Sequence, residues 1–140
     1  MVKQTAGRDA LTGFADDFAR YNDDVLFGEV WNNPNISLHN RSMITISCLV
    51  GKGIVDDSLK YHITTAKKNG VTKEEMASML TQLGFYAGWP NAWAALKMAR
   101  EVYKDGGSHG GMFGLGSFNE AYKQYFIGNS YLNPLTKPTD

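Results

Sequence analysis

The chain has 140 residues, 43% of them hydrophobic and 20% charged, a composition typical of a globular protein with its own core. Fourteen basic residues balance 14 acidic residues, so no net charge points to nucleic acid or an anionic membrane as a partner. A single cysteine, Cys48, excludes an intrachain disulfide, and no apolar run is long enough to span a bilayer. The polar N-terminus lacks an apolar leader segment, and these features together predict a cytoplasmic protein.

Apolar residues at helical spacing predict an all-α fold, a compact bundle of about six to seven helices. The first helical region covers residues 7–31, in one or two pieces, and ends in the asparagine and proline turn at 32–35. The next helix begins near Ser37 and ends at Gly51. Its apolar residues occupy nearly every face, which predicts a central buried helix with Cys48 as a small core residue.

Local end signals define three more helices. The acidic pair at 56–57 can cap the first of them, and the T-x-x-E capping box at 72–75 opens the second. Gly84 and Gly88 are expected to interrupt that second helix. Pro90 then fits the first turn of the last helix, because that position needs no backbone N–H.

The chain changes character after residue 105. Residues 1–105 are predicted to form the helical domain, and residues 106–140 a glycine-rich linker, a short helix and an extended tail. Residues 118–126 have the spacing of a short amphipathic helix, whereas the prolines beyond 129 oppose one.

Two segments carry motifs in a fixed order. Residues 28–50, GEVWNNPNISLHNRSMITISCLV, contain a Trp-x-x-Pro turn followed by Arg-Ser-x-Ile-Thr. Residues 61–96, YHITTAKKNGVTKEEMASMLTQLGFYAGWPNAWAAL, contain a histidine, Gly-Val-Thr-x-Glu-Glu and Tyr-x-Gly-x-Pro. This arrangement resembles the carboxymuconolactone decarboxylase-like family, which has the alkyl hydroperoxidase D-like fold. The resemblance implies an all-helical fold and a homo-oligomer, a trimer or a hexamer.

The resemblance also separates two kinds of chemistry. The peroxidase branch of the family uses a Cys-x-x-Cys pair four residues before a histidine, and here Val55 and Ser58 occupy those two positions before His62. Thiol peroxidase chemistry requires a thiolate and a resolving cysteine, so a peroxidase is the function that this sequence supports least. The resemblance instead implies a carboxy-lyase of the 4-carboxymuconolactone decarboxylase type, which takes a small-molecule substrate and uses no cofactor.

A second resemblance favours a different kind of function. Residues 125–138, YFIGNSYLNPLTKP, are similar to the opening segment of a cupin domain. The alternative hypothesis is therefore a non-catalytic binding or assembly module that partners a cupin-domain protein.

A decarboxylase needs a cation for the carboxylate, hydrogen-bond donors for the developing enolate and a proton donor. His62 is the candidate for proton transfer, because its pKa ordinarily lies near neutrality; the alternative is a core histidine. Arg41 is the candidate for binding the carboxylate; the alternative is a structural ion pair with Glu29. Glu29 could also orient His62 or Arg41.

Aromatic residues are candidates for the wall of a substrate pocket. Trp31, Tyr86 and Trp89 could line it, and Tyr86 could donate a hydrogen bond to the enolate; the alternative is core or subunit interface. The three histidines show no metal-ligand spacing, so no metal site is predicted.

Overall fold

The computed structural model describes residues 1–104, and this part of the chain contains helices and no strand. The prediction of an all-α fold is therefore confirmed. Six α-helices and one long π-helix follow in the order α1 (Ala6–Leu11), α2 (Asp16–Arg20), the π-helix (Tyr21–Val30), α3 (Leu38–Gly51), α4 (Asp57–Lys68), α5 (Lys73–Ala87) and α6 (Trp89–Val102).

Several predictions fall outside the described residues: the linker at 106–116, the short helix at 118–126 and the cupin-like segment at 125–138. The domain boundary at residue 105 stays a prediction for the same reason. Within residues 1–104, every helix is too short or too polar to cross a membrane. The cytoplasmic location also stays a prediction.

Backbone contacts divide the chain into two compact units, Met1–Arg41 and Ser42 onward, and each is described by itself. In the first unit, the carboxylate of Asp23 on the π-helix is buried and holds the start of α1. It accepts hydrogen bonds from the backbone N–H groups of Gly7 at 2.9 Å and Arg8 at 3.0 Å, and from the side chain of Asn22 at 3.0 Å. A Cβ at Gly7 would stand 2.8 Å from the Asp23 Oδ1, so this contact requires glycine.

The side-chain amide of Asn32 closes the first unit. Its Oδ1 accepts from the Val2 N–H at 2.7 Å, and its Nδ2 donates to the Val2 carbonyl at 2.9 Å. The same Nδ2 lies 3.2 Å from the Phe27 carbonyl and 3.0 Å from the Gly28 carbonyl, both near the C-terminal end of the π-helix. One amide therefore satisfies exposed helix-end carbonyls and anchors the N-terminal residues.

The helical region predicted for residues 7–31, in one or two pieces, is present as two pieces that are separated by a turn at residues 12–15. Within this unit Phe14 is 89% exposed and Phe18 63% exposed, whereas Phe27 and Trp31 are buried.

The second unit has a continuous apolar core. Helices α3 to α6 and the turn before α5 all contribute to it. Its buried members are Ile46, Val50, Leu59, Ile63, Ala66, Val71, Met76, Leu80, Ala95, Ala99 and Tyr103.

Helix α3 buries one stripe and not every face. Ser42, Ile46 and Val50, spaced four residues apart, are fully buried, whereas Ile44 and Cys48 are exposed. The prediction that Cys48 is a core residue is therefore wrong. It fails because an α-helix that packs with one side turns residues two positions away from the buried stripe toward solvent.

The predicted helix starts are confirmed where a local cap defines them. Asp56 accepts from the Ser58 N–H at 2.9 Å, and Thr72 and Glu75 form the reciprocal capping box at 2.9 and 3.0 Å. The expected interruption at Gly84 is wrong, because α5 continues to Ala87 and the chain turns at Gly88, which has a φ of 102°.

Candidate active site

His62 lies on α4, whose inner face buries Leu59, Ile63 and Ala66 completely. The imidazole itself is half-buried, its Nδ1 atom is shielded from solvent, and its ring meets the Tyr61 ring edge-on at 5.0 Å. Burial lowers the pKa of His62 below its ordinary 6.5, because an apolar surrounding disfavours the imidazolium. The neutral imidazole therefore predominates at pH 7, and the imidazolium forms only below pH 6.5.

The two positions that thiols occupy in the peroxidase branch lie at the N-terminal end of α4, one before the helix and one in its first turn. Val55 packs against the core, and the Ser58 N–H is held by the Asp56 carboxylate in the first turn of the helix. Neither side chain can form a thiolate. Cys48 lies on another helix and has no second cysteine in the chain to resolve it.

Tyr86 and Trp89 flank the turn between α5 and α6. Tyr86 is 84% exposed and Trp89 46% exposed, and the Trp89 ring meets the Phe85 ring edge-on at 5.5 Å. This junction therefore brings Trp89 together with Phe85. The Tyr86 hydroxyl lies on the surface of the unit, where a ligand can reach it.

Lys97 is a residue that sequence reasoning missed. Its ammonium lies 5.4 Å from the centre of the Trp93 ring, and burial lowers its pKa below the ordinary 10.5. Trp93 and Lys97 are four residues apart on α6, a spacing that brings a lysine over an aromatic ring one turn earlier. That spacing is the signal by which the pair could have been found.

Arg41 lies in the first unit, at the first turn of α3. Its Nε donates to the Ile36 carbonyl at 3.1 Å and its Nη2 to the Asn33 carbonyl at 3.0 Å, so the guanidinium braces the turn before the helix. Among the residues that the structure describes, no ion pair joins it to Glu29. The Nη1 group makes no hydrogen bond with any described atom, and it is the part of the guanidinium left for an anion.

Trp31 and Glu29 occupy different environments in the first unit. Trp31 is buried and stacks on Phe27, with ring centres 5.9 Å apart and planes 19° from parallel. Glu29 is exposed on the π-helix. The position of Trp31 is that of a core aromatic in this unit. Across residues 1–104, no three His, Cys, Asp or Glu side chains come together as metal ligands.

Comparison with known proteins assigns the chain to a class. Residues 16–101 match the model of the carboxymuconolactone decarboxylase family, and the chain belongs to that family.

Two relatives of known name are similar to this chain. The 4-carboxymuconolactone decarboxylase of Acinetobacter baylyi is 39% identical over 95 residues, which cover 68% of this chain and 70% of the relative. The nitrosuccinic acid decarboxylase npaB of Metarhizium robertsii is 27% identical over 79 residues, which cover 56% of this chain and 54% of the relative. Both names describe removal of CO2 from a small organic acid.

Proposed function

We propose that this protein is a carboxy-lyase that needs no cofactor and releases CO2 from a small carboxylated lactone or unsaturated acid, with 4-carboxymuconolactone as the first substrate to test. The observation that carries the proposal is the 39% identity with a 4-carboxymuconolactone decarboxylase over 95 residues. The missing thiol pair at Val55 and Ser58 supports a lyase over a peroxidase.

The two relatives' substrates share a chemical property. An unsaturated lactone and a nitro group both accept electrons, the first as an enolate and the second as a nitronate. Cleavage of the bond to the carboxylate carbon releases CO2 and leaves its electron pair on the acceptor, and a proton then completes the product. The protein has to bind the carboxylate, stabilise the developing negative oxygen and deliver the proton.

Proton delivery is assigned to His62. Its half-buried position supports this role, because a partly desolvated imidazole is a stronger acid than one in water. The imidazolium gives its proton to carbon and becomes neutral, the form that burial favours. The alternative, a core histidine, predicts that replacing His62 changes stability but leaves the rate per folded molecule unaltered.

The other two roles are proposed residue by residue. Arg41 is assigned to the carboxylate, since Nη1 remains after Nε and Nη2 have braced the turn. Tyr86 is assigned to the enolate oxygen, since its exposed hydroxyl can donate a hydrogen bond to a ligand. Arg41→Lys should raise KM more than it lowers kcat, whereas Tyr86→Phe should lower kcat more than it raises KM.

The reaction class is tested with a panel of acids. Purified protein is incubated with 4-carboxymuconolactone, with nitrosuccinic acid and with a saturated lactone carboxylate that lacks a conjugated electron acceptor, and CO2 release is followed. Turnover of one of the first two acids and not of the saturated control is expected. Failure to release CO2 from any of them above the uncatalysed rate would remove this function.

We further propose that the protein forms a homo-oligomer, a trimer or a hexamer. Phe14, Phe18, Tyr21 and Val25 are exposed apolar side chains in the turn before α2, in α2 and at the start of the π-helix, and exposed apolar residues of this kind are typical of a subunit contact. The ion pair between Asp17 and Arg20 lies beside them. Light scattering of the wild type should give an oligomeric mass, and Phe18→Asp should reduce it; a monomeric wild type would end this proposal.

A further inference from the structure

An aromatic ridge runs along the start of α6 in the second unit. Phe85 meets Trp89 at 5.5 Å, Trp93 follows one turn later, and the Lys97 ammonium lies over the Trp93 ring at 5.4 Å. Phe85 is 77% exposed, Trp89 46% and Trp93 41%. We call Phe85, Trp89 and Trp93 the aromatic ridge.

A ridge of this kind is costly to leave in water. Each aromatic side chain offers about 150–250 Å² of surface that contributes to stability when it is buried. Contiguous exposed apolar surface in a globular protein marks a place where something binds. The ridge extends from the end of α5 into the first turns of α6, and this length favours an elongated occupant.

We propose that residues 118–126 of this same chain, FNEAYKQYF, pack on the aromatic ridge. Phe118, Tyr122, Tyr125 and Phe126 fall at i, i+4, i+7 and i+8, which gives one apolar stripe if the segment is helical. Glu120 and Lys123 balance each other, so the segment brings no net charge to the ridge. The aromatic stripe suits the aromatic ridge, because contacts between aromatic rings stabilise a complex beyond the burial of their apolar surface.

The connecting chain is long enough for this contact. Helix α6 has 14 residues and is therefore about 21 Å long, so the segment has to return about 20 Å to reach Trp89. The intervening residues 105–117, rich in glycine, can extend over at most about 45 Å. A glycine-rich random coil of this length has a root-mean-square span of about 20 Å, which matches the distance required.

The tether also favours this segment over a second copy of the protein. A short flexible linker holds its segment at an effective concentration on the order of millimolar. A second copy of the protein at micromolar concentration would compete poorly for the ridge if its affinity were comparable, because the tethered segment is present at a much higher effective concentration. The contact should therefore form within one chain and should not depend on protein concentration.

Hydroxyl-radical footprinting of the full chain tests the proposal, with the labelling of each ridge residue read by mass spectrometry. The double variant Phe118→Asp/Phe126→Asp places charge on the stripe. Gln124→Asp is the control, because it adds one negative charge on the opposite side of the predicted helix and leaves the aromatic stripe unchanged. The buried Met76 reports whether the core of the second unit is intact.

The expected result is a severalfold rise in the labelling of Phe85 and Trp89 in the double variant. Gln124→Asp should leave that labelling as in the wild type, and dilution should not alter it. Equal ridge labelling in the wild type and the double variant would overturn the proposal. So would protection of the ridge that grows with protein concentration, because the occupant would then be a second copy. If Met76 labelling also rises, Phe118→Ala/Phe126→Ala, which adds no charge, replaces the double variant and is judged by the same two outcomes.

Discussion

The indole ring of Trp89 lies directly on the backbone of Gly84: a Cβ at position 84 would stand 2.6 Å from Cε3 and 2.7 Å from Cζ3 of that ring. Gly84 is buried in the last turns of α5, and Trp89 begins α6. The contact therefore joins the two helices on either side of the turn at Gly88, next to Tyr86. Sequence patterns predict that Gly84 breaks the helix, but it lies inside α5 and leaves space for the Trp89 ring.

Replacing Gly84 by alanine should destabilise the protein although alanine favours helix. The helix gains about 1 kcal/mol from the added Cβ, but overpacking against the half-exposed Trp89 ring, which lies too close to move aside freely, costs about 1–3 kcal/mol. We expect a lower free energy of unfolding in urea and a shift of tryptophan fluorescence. Gly51→Ala is the control, since a Cβ there meets nothing within 4 Å, and it should be neutral or stabilising. A Gly84→Ala variant as stable as Gly51→Ala would contradict the packing described.

Asp23→Asn should loosen the first unit at neutral pH. Burial alone would raise the pKa of Asp23, but hydrogen bonds from Asn22, Arg8 and Gly7 outweigh it and hold the pKa below 3.8. The asparagine side chain would place its NH2 group against the backbone N–H of Gly7 or of Arg8, each of which now donates to a carboxylate oxygen of Asp23. Hydrogen exchange of the Gly7 and Arg8 amides at pH 7 measures the effect, and it should quicken in the variant.

The same carboxylate makes a prediction in acid. The folded-state pKa of Asp23 is depressed, so the stability it contributes is present above pH 3.8 and is lost as the pH falls through the lower folded value. The stability difference between the wild type and Asp23→Asn should therefore be constant near neutrality and shrink below pH 3.8. The comparison variant is Asp24→Asn, whose stability relative to the wild type is measured over the same pH range. Asp24 is an exposed carboxylate that is paired with Arg8. A difference that does not change with pH would show that the carboxylate is not the cause.

Asn32→Asp should release the N-terminal residues and the end of the π-helix together. Aspartate keeps an acceptor for the Val2 N–H but loses the Nδ2 donor to the carbonyls of Val2, Phe27 and Gly28. Negative charge would then face three carbonyl oxygens. Limited proteolysis near residue 2 and amide exchange in residues 27–32 should both increase. If only one of them changes, the two contacts are not held by the same side chain.

His62 should give the protein a pH-dependent stability near neutrality. The unfolded chain takes up a proton at the ordinary pKa of 6.5, whereas burial lowers the folded-state pKa, so stability is full above 6.5 and is lost as the pH falls below it. The wild type should therefore lose stability between pH 7 and pH 5, and His62→Gln should lose less. His39→Gln serves as the control for the remaining histidines. If stability falls equally steeply with pH in all three proteins, the His62 side chain is exposed to solvent in the folded state, which would contradict the burial described.

Local signals predicted the helix ends well. The box formed by Thr72 and Glu75 and the cap at Asp56 involve residues two or three positions apart, so the sequence contains both partners of each bond. Asp23 and Asn32 were missed because their partners lie 15 to 16 and 30 residues away. A π-helix and an α-helix also carry the same residue types, so the pattern over residues 7–31 could not separate them.

The candidate site was less predictable than the fold. The resemblance of the sequence motifs makes His62 a candidate, but the burial of its imidazole depends on how α4 packs. Periodicity predicts only which face of the helix the residue lies on. Arg41 shows the limit clearly: its charge suggested an ion pair or a substrate contact, whereas its Nε and Nη2 bind the Ile36 and Asn33 carbonyls. A guanidinium satisfies backbone acceptors as readily as carboxylates, and no sequence pattern distinguishes the two.

The most direct test of the proposed decarboxylase is the rate of CO2 release from 4-carboxymuconolactone by the wild type and by His62→Gln at equal folded concentration, between pH 5.5 and 7.5. A general acid contributes about 10²–10⁴-fold, so the wild type should be faster by roughly that factor. Its advantage should grow as the pH falls, because the imidazolium forms below pH 6.5. Equal rates for the two proteins across this range would contradict a proton-transfer role for His62.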